Sequence, residues 1–208
     1  MAGKQENIKH LSGQDYCVST WSGGRTVQLA IWPEDALYAD RNFLWRISSA
    51  TVDLEESDFT LLPDYMRLIA PVHGKMQLTH NGGSPVTLAE YQIHRFDGAD
   101  STHCLGKCTD FNLMLRKGAY DGRMLALAGG GEAEEECTIP PEPKAEITLV
   151  YNAAGSIAVF CGTAQQKLKE GEAALICHRQ TGMSGPVALR FSPGSRAMAA
   201  QVWEPDAC

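Results

Sequence analysis

Three arginines, Arg46, Arg67 and Arg116, sit in or beside apolar segments, and the third shares its segment with Asp110 and Asn112. A guanidinium is planar, stays charged at any working pH, and presents a fork of donors that matches a carboxylate with two parallel hydrogen bonds. Set among mostly apolar walls, such groups would select a small anion, for instance a dicarboxylate. Asp110 would hold a guanidinium in position, Asn112 can both donate and accept, and Trp45 or Tyr65 would wall the apolar part of the ligand. Arg67 has an ordinary alternative, a surface ion pair with Asp64 or Glu56 that would contribute little.

Other chemistries find less support. A His-x-His pair on a strand aims two imidazoles at one ion, and the chain contains no such pair. His73 and His80 are an odd number of residues apart and would face opposite sides of one regular strand. The Asp97-Gly98 turn separates His94 from His103, and His178 stands alone. Cys104 and Cys108 lack a second cysteine pair, so neither a metal nor another cofactor is expected. There is no Gly-x-Ser-x-Gly elbow and no cysteine with an evident partner histidine, so no catalytic nucleophile is assigned. Trp21-Ser22-Gly23-Gly24-Arg25-Thr26 lacks the Gly-Lys-Ser/Thr ending of a phosphate loop. Its glycines instead turn the chain sharply into a strand, with Trp21 packing over a barrel end.

The elements that must position these residues are short strands. Residues 43–48 alternate, with Leu44, Arg46 and Ser48 facing one way and Phe43, Trp45 and Ile47 the other. Residues 110–116 do the same, with Asp110, Asn112, Met114 and Arg116 opposite Phe111, Leu113 and Leu115. The ordinary reading of such strands is a packed apolar face and a solvated polar one. The functional reading points Arg46, Asn112 and Arg116 into a barrel mouth. Further strands are expected at residues 26–31, 75–80, 85–94, 147–152, 156–161, 172–178, 186–191 and 197–203, and the turn at Asn81-Gly82-Gly83 makes a hairpin of the second and third. A glycine and acidic run, then Pro140, Pro141 and Pro143, mark a connection at residues 129–144 between a first half, residues 1–128, and a second, residues 145–208. Gly74 with Leu88 and Glu90 is echoed by Gly155 with Leu168 and Glu170, the trace of an internal repeat.

The chain has 208 residues, 44% of them apolar, with 20 Gly and 10 Pro, enough for an all-β core with many turns. A net charge of −7 provides no basic stripe for nucleic acid. No apolar run is long enough for a membrane helix, and the polar first fifteen residues do not read as a secretory signal. Seven irregularly spaced cysteines fit reduced thiols, hence a cytoplasmic protein.

Four segments in order carry a family resemblance: Trp21-Ser22-Gly23-Gly24-Arg25-Thr26, Phe43 to Ser48 with Ala50, Asp58-Phe59-Thr60-Leu61-Leu62-Pro63 leading to Arg67, and Asp110-Phe111-Asn112-Leu113-Met114. Together they resemble the HutD/Ves family of the cupin superfamily over most of the first 118 residues. One departure stands out: Pro63-Asp64-Tyr65-Met66 precedes Arg67 where family members often have Pro-Gly, which alters the turn and keeps the arginine. The resemblance implies a bicupin, two jelly-roll-like β-barrels in one chain, and a regulatory role in histidine breakdown.

The expected function is therefore a metal-free cupin that binds a small carboxylate such as formylglutamate or urocanate and acts as a sensor in histidine or amino-acid utilisation. The expected ligand-binding residues are Trp45, Arg46, Ser48, Arg67, Asp110, Asn112 and Arg116. Two other readings stand beside it. One is a metal-free isomerase or hydrolase with Asp110 or His73 as general base. The other is a structural protein whose barrel interiors are filled by side chains. Exposed sheet edges would allow a strand-to-strand homodimer, but no segment of the sequence marks one.

Overall fold

The computed structural model describes residues 8–178 and 186–206; Cys208 and the charged start of the chain lie outside them. The chain begins with β1 (Lys9–Leu11), β2 (Cys17–Trp21), β3 (Gly24–Trp32), β4 (Trp45–Val52), β5 (Glu56–Asp58) and β6 (Tyr65–Gly74). It continues with β7 (Met76–His80), β8 (Val86–Leu88), β9 (His94–Asp97), β10 (Thr102–Leu105), β11 (Cys108–Arg116), β12 (Asp121–Ala128) and β13 (Glu135–Thr138). The last strands are β14 (Ile147–Ala154), β15 (Ser156–Cys161), β16 (Ala164–Lys169), β17 (Ala173–Cys177), β18 (Val187–Phe191) and β19 (Arg196–Trp203). Single 3-10 turns occur at Gly13–Asp15 and Tyr38–Asp40. No helix among the described residues is long and apolar enough to cross a membrane.

The strands fall into two compact units, Tyr16–Met124 and Leu125–Asp206, the latter joined by the segment up to Asp15. The first holds a six-stranded sheet, β2-β3-β4-β11-β6-β9, and a four-stranded one, β5-β10-β7-β8. The second holds β1-β17-β14-β19-β12 and β13-β18-β15-β16. Strands β1 and β13 thus come from segments that the sequence pattern placed in the first half and in the connection. Every sheet keeps two edge strands, so each unit is a pair of open sheets rather than a closed barrel.

The strand order repeats. Adding eight to each label turns β4-β11-β6-β9 into β12-β19-β14-β17, and β5-β10-β7-β8 into β13-β18-β15-β16. The faint sequence echo lies at the same point in both repeats. Gly74 and Gly155 link the first strand of each repeat's hairpin to the second with φ of 79° and 75°. Their N–H groups donate to Glu90 Oε1 at 2.8 Å and to Glu170 Oε2 at 3.4 Å. Leu88 and Leu168 are both fully buried beside these caps. Each repeat also carries a register shift on the paired strand, at Thr109/Asp110 against β6 and at Asn152/Ala154 against β19.

Many of the buried apolar residues gather in clusters, each within one unit. In the first, Val52, Ile69, Met76, Leu78, Leu88, Phe96, Cys104 and Cys108 form one cluster, and Phe43, Leu62, Tyr65 and Met114 are part of another. In the second, Val150, Ile157, Val159, Leu168, Ile176, Leu189, Phe191, Ala197 and Ala199 belong to a single cluster. One expected strand is broken: residues 85–94 give β8, then a turn with Tyr91 at φ 64°, before β9 starts at His94.

Gly74 has both a left-handed backbone and no room, since a β-carbon there would lie 2.8 Å from the Lys107 carbonyl oxygen. Gly82 shares the backbone, φ +68°, but has open space around it. Gly82→Ala should therefore cost about 1 kcal/mol, and Gly74→Ala roughly 2–3 kcal/mol, in urea unfolding. Equal costs would show that the close approach at Gly74 carries no weight.

Candidate functional site

Strands β4, β11 and β6 lie side by side, and their register sets the site. Arg46 pairs with Met114 and Met114 with Arg67, so the two arginines flank one methionine in a row across three strands. The next rows are Ser48–Asn112–Ile69 and Ala50–Asp110–Pro71. Side chains two apart on a strand share a face, so Arg46, Ser48, Arg67, Asp110 and Asn112 converge. All five are buried, at 2–6% exposure. The polar face is thus not solvated. It lines the space between the two sheets, while Ile47, Phe111, Leu113 and Leu115 are buried on the opposite face.

These residues line a cavity of about 390 Å³, within the first unit. That volume suits a small metabolite. Trp21 from the β2–β3 hairpin, Tyr38 and Phe59 supply aromatic walls. The Arg67 guanidinium lies over the Phe59 ring at 4.8 Å and the Phe96 ring at 5.1 Å. Arg46 lies over Tyr38 at 4.5 Å, its Nε donates to Gln28 Oε1 at 2.7 Å, and its Nη1 donates to Ser48 Oγ at 3.2 Å. The glycines of the hairpin are there for space: a β-carbon at Gly24 would meet the Thr51 carbonyl oxygen at 1.9 Å, and one at Gly23 would meet the Trp21 ring at 2.0 Å.

Burial dominates the electrostatics. It pulls the Arg67 pKa down to about 10, against the opposing attraction of Tyr38 and Asp110, so the group remains a cation at neutral pH. Desolvation likewise lowers Arg46. It raises Asp110 to about 7, although Arg67, a backbone hydrogen bond from Ala50 and Arg46 all pull the other way. Three buried side-chain atoms of residues lining the cavity have no hydrogen-bond partner, Arg67 Nε, Asp110 Oδ1 and Asn112 Oδ1; Ser57 Oγ and Asn152 Oδ1 are in the same state elsewhere among the described residues. Unmet buried polar atoms are costly.

Of the seven residues expected from sequence, five meet at this cavity and two do not. Trp45 is buried on the opposite side of β4, as alternation requires, and does not line the cavity. Arg116 ends β11 and is used structurally. Its Nη2 donates to the Arg41 carbonyl at 2.6 Å and to Tyr65 Oη at 3.1 Å, and its Nε donates to the Phe43 carbonyl at 3.3 Å. It fixes the turn that leads into β4. Tyr65 is committed to the same turn, donating to Arg41 O and Phe43 O. Arg67 forms no surface ion pair, being buried. His73, a candidate base, has a side chain 87% exposed beside Glu90. Tyr38, Phe59 and Gln28 escaped sequence reasoning because they lie in loops or on a strand without marked alternation.

Among the described residues, no three His, Cys, Asp or Glu side chains gather as a metal-binding set. The fold does join His80 and His94, whose Nε2 atoms are 3.0 Å apart. Thr102 Oγ1 gives its hydrogen to the Asp100 carbonyl, so His80 Nδ1 donates to Thr102 and His80 Nε2 accepts from His94. The two rings stack on each other beside Phe96, and burial together with the neighbouring His80 holds the His94 pKa below its usual value.

The HutD family model matches residues 13–192. Among solved structures, the conserved protein of unknown function PA5104 from Pseudomonas aeruginosa PAO1 is 23% identical, with a TM-score of 0.76 over 94% of this chain and 98% of that one. HutD from Pseudomonas fluorescens SBW25 is 22% identical, with a TM-score of 0.71 over 96% and 100%. The bacterial pirin YhhW from Escherichia coli in complex with nickel(II) is 8% identical, with a TM-score of 0.61 over 96% and 100%. At these identities the likeness establishes an all-β, cupin-like fold. Comparison with curated proteins gave no match.

Because the folded protein holds the Asp110 proton up to about pH 7 while an unfolded carboxyl releases it near 3.8, the folded state binds more protons between those values. Asp110 therefore contributes stability that is present below about pH 4 and is lost as pH rises through about 7. Thermal midpoints of the ligand-free protein and Asp110→Asn should diverge accordingly, the wild type losing more between pH 5 and pH 8. Parallel pH profiles would mean that Asp110 is already ionised at pH 5.

Proposed function

The chain belongs to the HutD family, and from that premise we propose that its Tyr16–Met124 unit binds a small carboxylate metabolite, such as formylglutamate or urocanate, as a sensor in histidine or amino-acid utilisation. The observation that carries this reading is the buried group of Arg46, Arg67, Asp110 and Asn112 around a cavity of about 390 Å³. The lining holds two guanidiniums and two carboxylates. Asp58 is exposed and bonded to His103, so the buried part of the site pairs two guanidiniums with Asp110 alone, and an anion would balance the excess. Ser48 supports Arg46, and the Trp21, Tyr38 and Phe59 rings offer an apolar flank.

We read the two units as successive jelly-roll repeats of a bicupin, supported by their shared strand order. Only the first is proposed to bind. Aligning Gly155 with Gly74 puts Thr148 at the position of Arg67, and the matching register puts Ala197 and Ala199 at those of Asp110 and Asn112. Ala197 and Ala199 belong to an apolar cluster and Thr148 is hydrogen-bonded to His178 and Gln201, so these positions carry neither arginine nor carboxylate. The six described cysteines are free thiols, which supports a reducing, cytoplasmic setting. Strand β2, exposed along its length at a sheet edge, is the surface through which two copies would pair.

One observation favours an enzymatic alternative. Asp110, with a pKa raised to about 7 inside the cavity, has the properties of a general base. Turnover of a small carboxylate that disappears in Asp110→Asn would establish it.

The direct test is a thermal-shift panel of formylglutamate, urocanate, glutamate and histidine. A ligand at a hundred times its Kd stabilises the fold by about 2.7 kcal/mol, a visible shift. Arg67→Ala should weaken binding of the responding carboxylate by roughly tenfold to a hundredfold, the value of a charge-assisted hydrogen bond. No shift with any carboxylate, or undiminished affinity in Arg67→Ala, would refute the proposal.

A further inference from the structure

The residues lining the cavity divide into a floor and a rim. Arg46, Arg67, Asp110 and Asn112 are buried, whereas Ser19, Thr20, Trp21, Asp58 and Thr60 are exposed. The rim residues belong to β2, to β5 and to the segment just after β5, and each of these two strands is the edge of its sheet. The cavity therefore opens to solvent along the side of the unit where the two edges lie. Four of the five rim side chains are short. Trp21, 37% exposed, carries the one ring large enough to cover the opening.

The seat of that ring is built into the β2–β3 turn. A β-carbon on Gly23 would lie 2.0 Å from Cζ3, 2.6 Å from Cη2 and 2.9 Å from Cε3 of Trp21, so the ring occupies the place a side chain would take. The Gly23 backbone is not left-handed, and the three nearest obstructing atoms all belong to the ring. The turn itself is pinned: the Gly23 carbonyl accepts from Asp53 N–H at 2.8 Å, and Gly24 presses on the Thr51 carbonyl. What can move is the indole, by rotation about its own side-chain bonds. Resting on the carboxylate reading above, we propose that the Trp21 ring, seated on Gly23, is the gate of this cavity and sets how fast ligand enters and leaves. Entry and release then both scale with the fraction of time the ring is off its seat, and affinity changes little. The second unit has no counterpart of the β2–β3 hairpin and so no such ring.

The test uses the full-length protein and isotope-labelled N-formyl-L-glutamate, or urocanate should that be the member of the panel that binds, with exchange read by NMR so that no tryptophan signal is needed. Trp21→Ala removes the ring, and Gly23→Ala keeps the ring but takes its seat. Each should raise both the association and the dissociation rate about tenfold and leave Kd within about threefold. Adding Gly23→Ala to Trp21→Ala should change nothing more, because the glycine acts only through the ring. Wild-type rates in both variants, faster release with unchanged association, or additive effects of the two substitutions overturn the gate and leave the carboxylate reading standing. If no carboxylate of the panel binds the wild type, the carboxylate reading fails and the gate with it. Should one variant not fold, the rates of the other decide.

Discussion

The rest of the first unit is arranged around a guanidinium that has been taken out of water. Arg67 is almost wholly buried between two sheets, and a buried cation persists only where neighbouring groups compensate its lost hydration. Here the compensation comes from two ring faces, Phe59 and Phe96, and from the charge of Asp110. Asp110 is itself desolvated and gives up part of its acidity in exchange. Arg46 is anchored by Gln28 and Ser48 and stacked on Tyr38. Arg116, Tyr65 and the Arg41 and Phe43 carbonyls lock the turn into β4, and so fix where Arg46 begins.

The second unit shows what this topology looks like without that constraint. Its strand order is the same, and its glycine–glutamate cap recurs at Gly155 and Glu170. It has Ala197 and Ala199 where the first unit has Asp110 and Asn112, and Thr148, bonded to His178 and Gln201, where the first unit has Arg67. A shared fold therefore does not entail a shared site. In this chain the difference includes positions on the strands equivalent to β6 and β11, and the β2–β3 hairpin that only the first unit adds.

Alternation made β4 and β11 legible before any coordinates, because each has one polar and one apolar face. It also put Arg46, Ser48, Asp110 and Asn112 on common faces. Strand β6, which carries Arg67, was not legible that way. Both its faces are buried, so Tyr65 to Val72 reads as an unbroken apolar run around Arg67, and Pro71 argues against a central strand. The register shift at Thr109/Asp110, where β11 meets Pro71, accommodates that proline. Arg67 was reached through the motif it ends, not through periodicity. Arg116 misled for the opposite reason. It obeys the alternation of β11, but lies at the strand's end, where backbone carbonyls of the neighbouring turn capture it. Trp45 was misplaced by its type alone, since the same alternation puts it opposite Arg46. The walls Tyr38 and Phe59 come from segments between or beside strands, where no pattern reveals direction.

The measurement that bears most directly on this account is a crystal structure of the protein soaked with formylglutamate. The account predicts the ligand between the two sheets of the Tyr16–Met124 unit, with a carboxylate on the Arg67 guanidinium and the other end toward Tyr38 and Trp21. Ligand in the Leu125–Asp206 unit, or on surface arginines with Arg67 untouched, would contradict it.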